Sequence, residues 1–295
     1  MGNEPAGGTT TVAIVGAGWL GSEIAIRAAA GGHRVVAVSR KGGWGNASPA
    51  PEAVERVTLD VLESRDEDLA GLLKRVGRVV FCWAPGADQC RRRLYVEGAA
   101  RITRVCGASK LERVVYTSST SALADHDGWV DEGSTRWPES DRGRIQRDAE
   151  DCIANGLSRA GVPWSILRLA GLYGPGRELA SLYRLGDAAR VRPGDGLERT
   201  NLVHRDDAAR AVLAALVLPP SESGLVHVCD DDHRTRREVA VDVARLAGWP
   251  EPLWAESDVG KKPRGKMVCN EKMKSVLGLG LEHPGHGAPD ERSPR

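Results

Sequence analysis

The stretch Thr11-Val12-Ala13-Ile14-Val15-Gly16-Ala17-Gly18-Trp19-Leu20-Gly21 decides the fold. A β-branched run reads as a strand, the glycines break it, and the Ala-rich segment that follows, ending at Gly31-Gly32, reads as a helix. Outward from there, His33 to Ser39, Val54 to Val61, Val76 to Trp83 and Arg113 to Ser118 predict four more strands. Helix-length segments separate most of them, Glu67 to Arg75 and Ala87 to Val105 most clearly. Such alternation predicts βαβ units and therefore an α/β fold with a doubly wound parallel sheet. A polar loop with Asp125, Asp127, Asp131 and Glu132 then leads to a helix from about Arg142 to Ala160 and a strand at Trp164 to Leu169. Breaks at Gly174-Pro175-Gly176 and at Arg192 to Gly196 precede a helix at Asp206 to Leu216 and a strand at Gly224 to Cys229. Helices at Glu238 to Ala247 and Asn270 to Leu277 complete the pattern.

Gly16-x-Gly18-x-x-Gly21 is weak alone but gains weight from its place between a strand and a helix. The first glycine makes the tight turn, the second lets a pyrophosphate approach the backbone, and the third lets helix and strand pack closely. The phosphates then lie at the positive helix N-terminus. A site for NAD wants a carboxylate after the second strand for the ribose 2′-hydroxyl, whereas this chain offers Ser39-Arg40-Lys41. A hydroxyl and two cations suit a 2′-phosphate, so NADP(H) is the expected cofactor.

Composition narrows the classes. The chain has 295 residues, 41% hydrophobic, with 41 Lys+Arg against 40 Asp+Glu. A sizeable core is expected, and a near-neutral chain has no general field to attract nucleic acid. The longest apolar run, Ala208 to Pro219, contains Arg210 and falls short of the ~18–20 residues that cross a bilayer. No export or lipid signal is read in Met1 to Ala6, so a cytoplasmic location is expected. The six cysteines, Cys82, Cys90, Cys106, Cys152, Cys229 and Cys269, form no C-x-x-C pair, which predicts reduced thiols.

The chain resembles the short-chain dehydrogenase/reductase superfamily in its extended, NAD-dependent epimerase/dehydratase-like form, over roughly residues 11 to 280. The resemblance is carried by Val12 to Gly21, Asp60-Val61, Val115 to Ser121, Leu167 to Gly176 and Asn201 to Asp207. It implies a Rossmann fold with an NADP-binding domain over residues 1–170, to which 201–230 return. A smaller interleaved C-terminal substrate lobe would comprise 171–200 and 231–282, followed by a disordered tail at 283–295. It further implies that Gly16, Gly18, Trp19, Leu20 and Gly21 hold the pyrophosphate and that Asp60 and Val61 lie against the adenine. Trp83, Ala84 and Pro85 would run under the adenosine ribose, Thr117 would line the cofactor site, and Leu169 and Ala170 would meet the carboxamide. Ser119 matches the catalytic hydroxyl, and Tyr173 and Arg177 fall at the mouth of the substrate cleft. A homodimer through helices on one face of the sheet is likewise implied.

The departure from the family lies in its Tyr-x-x-x-Lys pair. In the register set by Ala149-Glu150 the tyrosine becomes Arg142 and the lysine Gln146, and none of Tyr95, Tyr116, Tyr173 or Tyr183 has a lysine four residues on. Arg142 can donate hydrogen bonds to an oxyanion but gives up no proton readily, and Gln146 can bond a ribose without bringing charge. Three outcomes fit. Hydride transfer persists with Ser119 and Arg142 acting electrostatically while water, Asp131 or Glu132 supplies the proton. Alternatively the substrate is a protonated imine that needs no acid, or the protein binds NADP(H) as a sensor or scaffold without turnover. NADPH-dependent reduction of a small carbonyl or imine is the leading expectation, with epimerase, dehydratase or cyclase chemistry on the same fold as the alternative.

Other polar residues have plainer readings. Asp206 or Asp207 after His204 reads as a helix cap, and Asp230-Asp231-Asp232 with His233 reads as a solvated turn, so no metal site is expected. Cys82 reads as a structural thiol, Trp44 either as packing or as a stack on adenine, and Arg142 itself either as a ligand contact or as a solvated residue.

Overall fold

The computed structural model describes residues 10–46, 48–86, 89–183 and 190–285. Its first strand, β1 (Val12–Val15), is buried along its whole length and is followed by helix α1 (Trp19–Ala30). The order continues with β2 (Val35–Ser39), β3 (Val54–Thr58), α2 (Asp66–Leu73) and β4 (Arg78–Phe81). A π-helical turn at Arg93–Glu97 leads into α3 (Gly98–Gly107), then β5 (Arg113–Ser119), β6 (Gly128–Val130), α4 (Asp141–Arg159) and β7 (Trp164–Leu169). Next come β8 (Gly171–Tyr173), the short α5 (Leu179–Leu182), β9 (Val191–Arg192), β10 (Leu202–His204) and α6 (Arg205–Leu216). The chain closes with β11 (Gly224–Val228), α7 (Arg236–Leu246), β12 (Leu253–Trp254), β13 (Lys266–Val268) and α8 (Glu271–Val276).

Seven strands form the main sheet in the order β11-β7-β5-β4-β1-β2-β3, all parallel. Parallel sheets bury both faces, which is why the inner strands β1, β2 and β4 are nearly continuous apolar runs, whereas the edge strand β3 is Val-Glu-Arg-Val-Thr and mostly exposed. The two faces are legible along β1: Val12 and Ile14 join the core under α1 and α6, while Ala13 and Val15 join the core under α2, α3 and α4. The winding reverses between β1 and β4, and in such sheets ligands bind beyond the carboxyl ends of the strands at that reversal.

The strands stop short of the sequence reading. Beyond Thr58 the chain turns, with the Asp60 carboxylate accepting from the Leu62 N–H at 2.8 Å, and after Phe81 it leaves the sheet along the crevice. Helix α8, assigned from sequence to the smaller lobe, packs with Met273 and Leu277 in the core beside β11. Residues 283–285 are ordered rather than part of a loose tail: Asp207 accepts from the N–H groups of Glu282 and His283 at 2.9 and 2.8 Å. The remainder of that expected tail, 286–295, and the start of the expected 87–105 helix lie outside the described residues. Among the described residues no helix is long and apolar enough to cross a membrane.

Candidate functional site

The glycine turn is sterically determined. Gly16 has φ +113°, and a Cβ there would lie 2.0 Å from the Cys82 carbonyl oxygen. A Cβ on Gly21 would lie 2.0 Å from the Gly16 carbonyl oxygen, so turn and helix are pressed together. Gly18 is the contrast, because a Cβ there would meet nothing within 4 Å. The glycine faces open space at the start of α1, whose N-terminus has no side-chain cap and no acidic residue in its first turn. Backbone N–H groups and a helix dipole are thus left for an anion.

That space is a cavity of about 750 Å³ at the carboxyl ends of the strands. It brings together Gly16, Gly18, Trp19, Leu20 and Gly21 with Ser39 and Arg40 from β2, Asp60 and Val61 after β3, and Trp83 and Ala84 after β4. Thr117 and Ser119 of β5, Arg142 and Gln146 of α4, Leu169 and Ala170 at the end of β7, and Arg177 complete the expected set. Lys41 and Pro85 adjoin this lining without being part of it. Tyr173, placed by sequence at the cleft mouth, is turned away: it is buried with Leu179 and Val239 and meets the His204 ring edge-on at 5.2 Å. Asp131 and Glu132 are also absent from the lining. The Asp131 carboxylate caps the Gly133 N–H, and that of Glu132 accepts from the His227 N–H at 2.7 Å. Trp44 packs against the α1 core and donates to the Ser48 carbonyl, so it is packing rather than an adenine platform.

Two walls set the chemistry. Ser119 Oγ accepts from the Ser121 N–H at 3.2 Å, which leaves its own proton for a ligand. Helix α4 is capped by Ser140, whose hydroxyl accepts from the Gly143 N–H at 3.1 Å, and this start fixes Arg142 and Gln146 on the cavity side. Gln146 is 3% exposed, yet its Oε1 has no hydrogen-bond partner. An orphaned buried acceptor beside an open glycine turn fits the hydroxyls and phosphates of a dinucleotide. Trp19 closes one side, its indole N–H donating to the Pro175 carbonyl at 2.8 Å and its ring lying under Arg177 at 4.5 Å.

Sequence reasoning missed Tyr95 and Lys266, both of which line the cavity. Tyr95 is 6% exposed and lies on the π-helical turn. Burial pushes its phenol up, while Arg91, the Gln146 amide and Arg142 pull it back. Its only sequence signal would have been the missing tyrosine on α4. Cys82 lines the cavity too, but burial pushes its thiol up to about 11, which keeps it protonated and inert.

Behind the site, polar residues are tied to one another. Ser118 donates to Glu150 at 2.6 Å, Arg168 grips the same carboxylate at 2.6 to 3.1 Å, and its other arm lies 3.4 Å from His227 Nε2. The helix cap expected from Asp206 or Asp207 is His204 instead, whose Nδ1 accepts from the Asp206 N–H. Asp206 instead pairs with Arg27 at 2.8 Å, and Asp207 accepts from the Glu282 and His283 N–H groups. Asp206, His204 and His283 come within 4.8 Å of one another, but Arg27 and Arg205 beside that carboxylate oppose a metal cation. The Asp230–Asp232 turn is solvated only in part: Asp230 is fully buried, whereas Asp231 is exposed and binds Asn270 and Lys274.

A family model described as NAD(P)H-binding matches residues 16–219, from the glycine turn to just past the end of α6. The chain belongs to the NAD(P)H-binding family. It is 30% identical over 289 residues to protein YeeZ of Escherichia coli strain K12, covering 92% of this chain and 96% of that one. Among solved structures it is similar to a putative NAD-dependent epimerase/dehydratase from Methylobacillus flagellatus, at 26% identity and TM-score 0.74 over 95% of each chain. The UDP-glucuronic acid 4-epimerase from Bacillus cereus, solved with NAD, has the same fold, at 18% identity, TM-score 0.76, and 92% and 94% coverage. This NAD(P)H-binding protein thus has the Rossmann architecture of the epimerase/dehydratase-like short-chain enzymes, with Arg142 and Gln146 on the cavity face of α4.

Proposed function

We propose that the protein uses NADP(H) to reduce a small organic carbonyl or imine. The observation that carries this reading is the arrangement along one cavity. Arg40 stands at the end of β2 where an NAD site wants a carboxylate, the open glycine turn follows, and Ser119 with Arg142 and Tyr95 lies at the far wall. Bound NADPH would supply the hydride. Arg40 would pair with the 2′-phosphate, the N–H groups at the start of α1 with the pyrophosphate, and Gln146 Oε1 with a ribose hydroxyl. Ser119 would donate its free proton as a hydrogen bond to the substrate oxygen, and Arg142 would stabilise negative charge developing there. Tyr95 would give the proton that the oxygen needs to become a hydroxyl. Burial keeps the phenol protonated beforehand, and Arg91 and Arg142 offset the charge left on it afterwards. A protonated imine would take the hydride alone.

Titration with NADPH, NADP⁺, NADH and NAD⁺ by calorimetry or tryptophan quenching tests the cofactor, and NADPH oxidation with matched ketones and cyclic imines tests the reaction. Tight binding of the phosphorylated pair and turnover of either substrate class support the reading. Preference for NAD⁺ and NADH would overturn it.

The B. cereus fold relative, named as an epimerase, favours a second reading: hydride leaves and returns to the same molecule. That outcome would show as product formation in the presence of the oxidised cofactor, NADP⁺ or NAD⁺, with no net change in its redox state.

A further inference from the structure

The cavity holds more positive charge than the cofactor uses. Among the described residues lining it, the charged side chains are Arg40, Arg142, Arg177 and Lys266 against the single carboxylate of Asp60. Asp60 is turned to the Leu62 N–H. Arg40 follows β2, at the adenosine end of the proposed cofactor path, and Arg177 is held over the Trp19 ring at 4.5 Å. Arg142 and Lys266 remain, and they flank one short stretch of chain. Gly143, next to Arg142, sits so close under that stretch that a Cβ would lie 2.5 Å from the Ser121 carbonyl oxygen. Lys266 Nζ donates to the Leu123 carbonyl at 2.9 Å. Ser119 opens the stretch, and in its middle Ser121 lines the cavity, with its Oγ buried at the wall and without a partner.

Lys266 is brought here by β13, which pairs in parallel with β6 through Lys266 and Gly128. Its side chain is only 18% exposed. One of its three N–H donors goes to Leu123, and the nearest carboxylate oxygen, on the highly exposed Asp125, is 3.6 Å away. Burial lowers its pKa, the mark of a cation that lacks full compensation. A half-buried ammonium, an orphaned hydroxyl and a guanidinium around the reactive serine are what an anion requires.

We infer that Lys266, Ser121 and Arg142 form a seat for an anionic group of the substrate, carboxylate or phosphate, held next to Ser119. The substrate is then a small oxo or imino acid, or a phosphate ester of such a compound, rather than a neutral ketone. This rests on the reading of Ser119 as the reactive end of the cavity, but occupancy of the seat needs no turnover. Lys266 is its specificity-determining residue.

The test is calorimetry on the protein saturated with whichever of NADP⁺ or NAD⁺ it binds, so that the cofactor's own phosphate sites are filled. Malonate, inorganic phosphate and neutral malonamide are titrated in turn. Malonate or phosphate should bind at least tenfold more tightly than malonamide, and the stronger of the two tells carboxylate from phosphate. Lys266→Met should remove that preference without changing nucleotide affinity, and Lys266→Arg should keep most of it. Ser121→Ala should weaken the anion several-fold and serves if Lys266→Met fails to fold. No anion binding, or equal binding to wild type and the lysine and serine variants, would overturn the seat. Anion binding without reduction of any carbonyl or imine would leave the seat standing and remove the reductase reading instead.

Discussion

Ser118 and Ser119 are neighbours on β5, and Gln146 and Glu150 are one turn apart on α4, yet within each pair one side chain is fully partnered inside the protein and the other is not. Ser118 and Glu150 belong to a closed set with Arg168, in which each carboxylate oxygen accepts from a charged or hydroxyl donor. Ser119 and Gln146 line the cavity as Ser118 does, but Gln146 Oε1 is left without a donor and the Ser119 hydroxyl accepts only from the Ser121 N–H. The difference teaches how to separate structure from function here. A polar group whose partners are all within the chain maintains the fold, and one left short at a cavity wall waits for a ligand.

Substitutions on the two sides should therefore act on different observables. The largest effect is expected at Glu150→Ala, which strands the buried Arg168 and should cost about 3–5 kcal/mol in denaturant unfolding. Replacing both Glu150 and Arg168 by methionine should recover much of that loss, and failure to do so would make the pair more than a balanced charge. His227 extends the closed side into pH dependence. Burial and Arg168 hold its pKa down to about 3, so below about pH 6.5 the unfolded chain takes up a proton that the native chain refuses. Stability should fall with falling pH between about 6.5 and 3, by at most roughly 1.4 kcal/mol per unit. His227→Gln should flatten the slope in that window.

On the open side stability should barely change. Tyr95→Phe should lower kcat about a hundredfold for a carbonyl and much less for a protonated imine, with nucleotide affinity intact. Arg40→Ala should weaken NADPH roughly tenfold while leaving NADH unchanged, as one lost charge-assisted contact predicts. The smallest effect belongs to Gln146→Leu, a loss of a few-fold, about 1 kcal/mol, in affinity for either nucleotide form. A large stability loss in any of these three would break the division.

The central sheet was legible because its inner strands are β-branched runs buried on both faces and its glycine turn admits few other residues. The accessory pairs β8–β10, β9–β12 and β6–β13 are only two or three residues long, so no periodicity announces them. Ser119, Arg142 and Gln146 could be placed by register within one element. Lys266 could not, since only the pairing of two three-residue strands carries it to the cavity. Nor could Tyr95: nothing in Arg93-Leu94-Tyr95-Val96-Glu97 marks a π-helical turn rather than plain helix. Tyr173 misled because it follows the expected strand closely while its ring points into a separate small core.

The cavity draws its lining from Val15 at one extreme and Lys266 at the other. During synthesis the glycine turn emerges long before the wall opposite it, which waits until Lys266 has left the ribosome. A nascent or truncated chain ending at Leu169 would own the glycine turn and Ser119 without Arg177 or Lys266. Such a chain would offer a nucleotide a groove with one side missing, so ligand binding reports that the chain has folded through Lys266.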